Sequence, residues 1–184
     1  SDKLFVAANY LPEQKTTKFS AVRYGNVLGS RGSVIPFFKE ISKTGSIPIT
    51  HPEMTRFWIS LEQGVEFVFN RLQDMNGGEI FVPKIPSFKV TDVANIVAPG
   101  IPHKIIGIRP GEKLHEVMIT EDDSHHTIEY ADFYSIVSPS NFQELVSKTN
   151  GKSVEHGFKY SSDTNKEWFT HQSFIEILKK NQIL

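Results

Sequence analysis

The 184-residue chain has no cysteine, which excludes disulfides, thiolate nucleophiles and thiolate metal sites and fits a reducing compartment. It also lacks long apolar runs. None approaches the roughly 20 residues that cross a bilayer, and no charged-then-apolar leader opens the chain, so a soluble, cytoplasmic protein with no membrane partner is expected. Neither sign of charge dominates: 20 Lys and Arg stand against 21 Asp and Glu, a net charge of −1. Without a block of like charge there is no electrostatic footprint for nucleic acid, and no nucleic-acid partner is expected. The seven histidines make no metal site, because the adjacent His125 and His126 diverge on any regular element and no spaced His or acidic pair completes a ligand set. Serines are plentiful, but none sits in a G-x-S-x-G elbow, and no nucleophile with its base is visible.

What is present is a chain of about one domain, long enough to bury roughly 70% of the surface its unfolded form exposes. "SDKLFVAANYL" carries Leu4, Phe5, Ala8 and Leu11 at helical spacing, and Pro12 ends that helix. "KFSAVRY" alternates as a strand. "SVIPFFKEISKTG" reads as a helix with Ser33 as N-cap, Pro36 in the first turn and Gly45 as its stop. After a short strand, "SIPIT", the segment "SLEQGVEFVFNRLQDMNGG" pairs Ser60 with Gln63 as a capping box. Its residues Leu61, Val65, Val68, Leu72 and Met75 form one apolar stripe, and Gly77 terminates it. "EIFVP" and "HKIIGI" read as strands, "KVTDVANIVAPG" as a helix ended by Pro99 and Gly100, and "GEKLHEVMI" as a helix. "TIEYADFYSIV" suggests one strand, and "HQSFIEILKKN" a closing helix with Phe174, Ile177 and Leu178 inward. "TEDDSHHT" and "SKTNGKSVEHG" read as polar loops. Alternating strands and helices predict an α/β protein with parallel pairing.

Two features point to a ligand. The first is the run "FSAVRYGNVLGSRGSVIPFFKEI", in which Gly25, Gly29 and Gly32 separate a strand from a helix. The spacing imitates a dinucleotide fingerprint only superficially: Arg23 stands where such a strand would be apolar, and no acidic residue follows at a second strand end. An ordinary strand–helix turn and a site for a different anionic ligand remain as readings. The second is arginine. Arg23, Arg31, Arg56 and Arg109 fall at turns or element ends beside small or rigid neighbours, where a planar guanidinium suits phosphate oxygens or is simply solvated. Arg109 stands out, because an apolar strand delivers it to a Pro-Gly turn. Phe57 and Trp58 beside Arg56 read as core. Glu112 and His115 are placed in the first turn of the helix that follows Arg109.

The segments "SDKLFVAAN", "FSAVRYGNVLGSRGSVIPFF", "MTRFWISLEQGVEFV", "GGEIFVPKIPS" and "KIIGIRPGEKLHEVMI" together resemble the soluble, inverting UDP-N-acetylglucosamine 4,6-dehydratases of the extended short-chain dehydrogenase/reductase superfamily. These enzymes begin the pseudaminic acid pathway of glycan and flagellin modification, and the likeness runs from Ser1 to about Tyr134. It implies an α/β fold comprising the C-terminal part of a Rossmann-type parallel sheet (about 1–30 and 78–100) and a smaller α/β substrate-binding domain (about 31–77 and 101–184). In that family a glycine-rich cofactor loop, a Thr-Asp-Lys segment and a Tyr-x-x-x-Lys pair precede the serine matched by Ser1. The chain therefore reads as the C-terminal half, with no catalytic residue of its own, inactive alone, and with NADP bound mainly by the N-terminal half.

Carried over by the resemblance, Asn26 contacts the UDP-sugar and Val27 lies against the nicotinamide. Arg31, Gly32, Ser33, Val34 and Ile35 line the nucleotide-sugar pocket, and Thr50 sits near the uracil. Arg56 and Arg109 hold the diphosphate, with Glu112 binding close by. The implied reaction is a lyase reaction with an internal redox cycle: hydride leaves C4, the ketone acidifies the C5 proton, water leaves across C5 and C6, and hydride returns to C6 with inversion at C5. The whole enzyme is expected to be a homo-oligomer. The alternatives are another UDP-sugar dehydratase or epimerase of the superfamily, for capsule or O-antigen sugars, or a non-catalytic nucleotide-sugar-binding fragment. Without the first Rossmann strands, open sheet edges at "FSAVRY" and "EIFVP" are expected to promote association.

Overall fold

Short apolar strands separated by amphipathic helices set the element order, described for residues 2–11 and 16–184 of a computed structural model. Ser1 and Pro12, the proline assigned to end the first helix, lie outside the described residues. The chain runs α1 (Asp2–Ala7), β1 (Ala21–Val22), β2 (Asn26–Val27), α2 (Val34–Ile41), β3 (Ile47–Ile49), β4 (Thr55–Ile59) and α3 (Leu61–Asp74). It continues with β5 (Ile80–Pro83), β6 (Ser87–Lys89), α4 (Val90–Val97), β7 (His103–Ile105), β8 (Val117–Ile119) and α5 (Glu121–Ser124). Last come β9 (Thr127–Glu129), β10 (Phe133–Ile136), α6 (Pro139–Lys148), β11 (Lys152–Ser153), β12 (Tyr160–Ser161) and α7 (His171–Lys180). Contacts divide it into two units: Ser1–Tyr24, Val65–Lys84 and Val117–Tyr160, and Gly25–Gly64, Ile85–Glu116 and Ser161–Leu184.

The first unit holds a five-stranded sheet in the order β1-β5-β10-β9-β11. Only β1 and β5 pair in parallel; β5 with β10, β10 with β9 and β9 with β11 are antiparallel. The sheet is therefore mixed, and "TIEYADFYSIV" is a hairpin of two strands, closed where the Tyr130 N–H donates to the Phe133 carbonyl at 2.8 Å. The "EIFVP" strand is also not an edge: β5 lies between β1 and β10, and the sheet ends at β1 and β11. The polar segment after β8 is helical because Thr120 and Asp123 form a capping box that starts α5.

Arg23 is a structural residue of this unit. Its Nε donates to Asp2 Oδ2 at 2.5 Å, and its Nη1 to the Met118 carbonyl at 2.7 Å and to Asp123 Oδ2 at 3.0 Å. Lys3 Nζ lies 2.7 Å from the other Asp123 oxygen. Arg71 on α3 is buried in an aromatic box, its guanidinium carbon 3.9 Å from the Phe133 ring centre and 5.4 Å from that of Phe67. One Nη bonds Asp74 at 3.0 Å, while Nε and Nη1 find no acceptor and rest on π faces instead. The α3 stripe faces outward: Leu61, Val65, Val68 and Leu72 are each at least 43% exposed. Phe67 and Arg71 form its inner face.

The second unit contains the sheet β2-β4-β6, with β2 parallel and β6 antiparallel to β4, and the parallel pair β3-β7. Its core gathers Trp58 from β4, Phe88 from β6, Ile35 and Phe38 from α2, Val93 and Ala94 from α4, and Phe174 and Leu178 from α7. Phe88 stacks on Phe174 with centroids 4.5 Å apart, and Trp58 meets Phe174 edge-on at 5.6 Å. The chain folds back after α7 through Gln182 in the left-handed region (φ 57°), and Ile183 packs against this core. A Cβ on Gly29 would lie 2.8 Å from Ile183 Cδ1.

"GEKLHEVMI" is not a helix. Gly111 turns the chain at φ 81°, and the Leu114 carbonyl accepts from the Thr55 N–H at 3.2 Å, across to β4 instead of along a helix. Its last residues enter β8.

Two outcomes follow from these contacts. Burial works to raise the Asp123 carboxyl, but hydrogen bonds and charge from Lys3 and Arg23 outweigh it and hold it below its ordinary value. Asp2 is likewise lowered, its Arg23 and Lys3 backbone bonds overcoming burial. A folded value below the unfolded one gives stability that is present above about pH 4 and lost as pH falls through the folded value. Acid titration followed by near-ultraviolet circular dichroism should show tertiary structure failing below about pH 4. Asp123→Asn should cost on the order of 3 kcal/mol at pH 7 in urea melts and blunt that acid limb. At Gly25 a Cβ would sit 2.4 Å from the Phe57 carbonyl oxygen, a backbone atom that cannot swing aside. Gly25→Ala should therefore lower the melting temperature by several degrees, an effect that Gly45→Ala, with open space around it and only its φ of 86° to pay for, should not match.

Candidate functional site

The second unit contains a cavity of about 360 Å³ lined by Asn26, Gly32, Val34, Phe37, Phe38, Pro48, Thr50, Met54, Arg56, Val90, Ile106, Arg109 and Glu112. Local sequence explains how these residues arrive there. Asn26 opens β2 and pairs with Trp58 of β4, two residues on from Arg56 in the same strand. Gly32 turns the chain at φ 75° into α2, whose first turn presents Val34 and whose later residues Phe37 and Phe38 form one wall. Thr50 follows β3, and Ile106 and Arg109 follow its partner β7, so the parallel β3-β7 pair delivers both to the same cavity.

Arg56 is the second residue of β4, and its guanidinium is held by main chain. Nη1 donates to the Thr55 carbonyl at 2.7 Å and to the Leu114 carbonyl at 3.1 Å, and Nη2 to the Lys113 carbonyl at 2.8 Å. Nε–H and the second Nη2 hydrogen remain for a ligand. Burial pushes this guanidinium below its ordinary value, while the charges of Glu116 and Glu112 oppose that shift. Arg109 is exposed at the mouth. Its own N–H donates to Glu112 Oε2 at 3.2 Å, and the Thr50 hydroxyl donates to Glu112 Oε1 at 3.3 Å. Glu112 therefore sits in a turn closed by its N–H on the Arg109 carbonyl at 3.0 Å, not in a helix.

The structure brings seven of the residues named from sequence to this one cavity: Asn26, Gly32, Val34, Thr50, Arg56, Arg109 and Glu112. It leaves four outside the lining. Ile35 is fully buried in the core, Arg31 is exposed in the turn before α2, and Val27 is half-buried in β2. Ser33 occupies the N-cap position of α2, yet its buried hydroxyl makes no cap bond and has no partner. The apolar wall of Phe37, Phe38, Pro48, Met54, Val90 and Ile106 was not legible, since each looks like any core residue in sequence. A lining that combines two guanidinium groups, apolar side chains, a hydroxyl and a carboxylate suits a ligand with a charged phosphate group and a planar or apolar part.

Known proteins share this sequence and fold. Residues 1–138 match a family described as polysaccharide biosynthesis protein. The chain is 52% identical over 192 aligned residues to a UDP-N-acetylglucosamine 4,6-dehydratase (inverting) from Campylobacter jejuni subsp. jejuni serotype O:23/36 (strain 81-176), covering 99% of this chain and 57% of that protein. It is 39% identical over 131 residues to the capsular polysaccharide biosynthesis protein CapD of Staphylococcus aureus, covering 66% of this chain and 22% of CapD. The X-ray structure of Pen from Bacillus thuringiensis superposes with a TM-score of 0.84 at 31% identity, over 100% of this chain and 56% of Pen. The chain thus spans little more than half the length of the dehydratase and of Pen. With the family match running through both units, this chain belongs to the polysaccharide biosynthesis protein family.

Proposed function

We propose that this chain supplies the UDP-sugar-binding part of a UDP-N-acetylglucosamine 4,6-dehydratase that inverts C5, in the pseudaminic acid route to modified glycans or flagellin. The observation that carries the reading is the meeting of Arg56 and Arg109 at one cavity beside Thr50, Glu112 and Asn26. A rigid guanidinium with two free donors and a second at the mouth match a diphosphate, and the apolar wall offers a face to the uracil. Glu112, fixed by Thr50 and the Arg109 amide, is an acceptor for sugar hydroxyls. Arg31 and Ser33 belong to the turn leading to this cavity and Ile35 backs its wall from the core. The 52% identity to the Campylobacter enzyme supports this choice of substrate.

In this reading the complete enzyme works in the cytoplasm as a homo-oligomer with NADP. The cofactor supplies hydride transfer when bound. It would rest mainly on the part of the longer protein outside this chain, and Val27 fits as an apolar, half-buried contact for a nicotinamide face. The catalytic acid–base groups would lie outside this chain as well. A second reading, a dehydratase or epimerase acting on capsule sugars, draws on the 39% identity to CapD.

Calorimetry tests the site directly. UDP should bind the chain at least tenfold more tightly than uridine, and Arg109→Ala should weaken UDP by about tenfold or more while leaving uridine unchanged. Equal affinities for UDP and uridine, or an indifferent Arg109→Ala, would refute the diphosphate assignment. In the complete protein, the C5 configuration of the product from UDP-N-acetylglucosamine, read by proton coupling constants, separates inverting from retaining chemistry.

A further inference from the structure

Arg56 and Arg109 belong to segments far apart in sequence, and a buried polar cluster joins those segments. Thr55, next to Arg56, is 3% exposed, and its Oγ1 lies 2.8 Å from His115 Nδ1 and 2.7 Å from Ser162 Oγ. Ser162 is fully buried. Its hydroxyl accepts from the Glu116 N–H at 2.9 Å and donates to the Thr55 carbonyl at 3.2 Å, while its own N–H donates to the Glu116 carbonyl at 2.8 Å. Thr55 and His115 also form an isolated parallel bridge. His115 does not line the cavity. What it fixes is the main chain just before it, whose Lys113 and Leu114 carbonyls hold the Arg56 guanidinium.

We propose that His115, through Thr55 and Ser162, is a positioning residue that holds the 113–114 carbonyls in place and so presets Arg56, in the cavity that Arg109 also lines, for a diphosphate; this rests on the nucleotide-sugar reading of the cavity. The reason is entropic. An arginine side chain has many rotamers to lose, and ordering it before the ligand arrives removes that cost from binding. With the Ser162 proton given to the Thr55 carbonyl, the Thr55 hydroxyl donates to Ser162 Oγ and accepts from His115 Nδ1–H, so the imidazole is the donor. An asparagine amide nitrogen reaches the place of Nδ1 and can likewise donate the bond. Leucine fills the space and cannot.

The test uses His115→Leu, His115→Asn and Ser162→Ala in the 184-residue chain. In calorimetry with UDP, His115→Leu should bind about tenfold more weakly, and His115→Asn should stay within about twofold of the parent. Ligand-free nitrogen-15 spectra report on Arg56 itself. A guanidinium held by three carbonyls gives separate Nη1 and Nη2 signals, which should merge in His115→Leu and persist in His115→Asn. Parent affinity and separate signals in His115→Leu, or an asparagine variant that behaves like the leucine one, would overturn the proposal. If His115→Leu does not fold, Ser162→Ala carries the same expectation of merged signals, and unchanged signals there overturn it equally. Should the parent not bind UDP at all, the nucleotide reading falls, and the Arg56 spectra still decide the clamp.

Discussion

The cavity depends on a guanidinium solvated by peptide carbonyls. Half-buried, Arg56 loses part of its hydration, and burial works against its charge. The carbonyls of Thr55, Lys113 and Leu114 replace that hydration. Two of them come from the segment that has just delivered Arg109 and Glu112, so the bonds that stabilise one cation also anchor the stretch bearing the other. The Leu114 carbonyl, which accepts from both the Thr55 N–H and Arg56 Nη1, has no lone pair left for an amide four residues on. The 109–116 stretch is irregular for that reason, despite a spacing of apolar residues that suits a helix.

That segment marks the limit of what sequence can show. Leu114, Val117 and Met118 have helical spacing, but the competing hydrogen bonds come from residues more than fifty positions away, and no local pattern carries them. Features with local causes were legible. Ser60 and Gln63 exchange both capping bonds, at 3.0 and 3.1 Å; Phe57 and Trp58 are core; Phe174 and Leu178 point inward from α7. The arginines divide along the same line. Arg23, flagged beside its glycine, is consumed by Asp2 and Asp123, and the second of these lies 100 positions away. Arg56 and Arg109 line one cavity, and Arg109 was the one the strand–turn pattern picked out.

The strand pairings show a similar division. Alternation of strands and helices revealed the α/β class, and β1-β5, β2-β4 and β3-β7 do pair in parallel. The short polar break at 130–132 that makes β9 and β10 a hairpin was too brief to interrupt the apolar pattern, so the antiparallel half of the larger sheet went unread. Its presence moves β5 from the rim to the interior, where all four of its residues are buried.

The packing of Ile183 on Gly29 links two distant positions on the way to this cavity. A side chain at position 29 would displace the end of the Ile183 side chain, and the φ of 69° discourages one in any case. Drift at one of these sites is therefore conditional on the other. Across homologues, a bulkier residue at 29 should be found only where 183 has shrunk, a covariation with its origin in shape and not in charge.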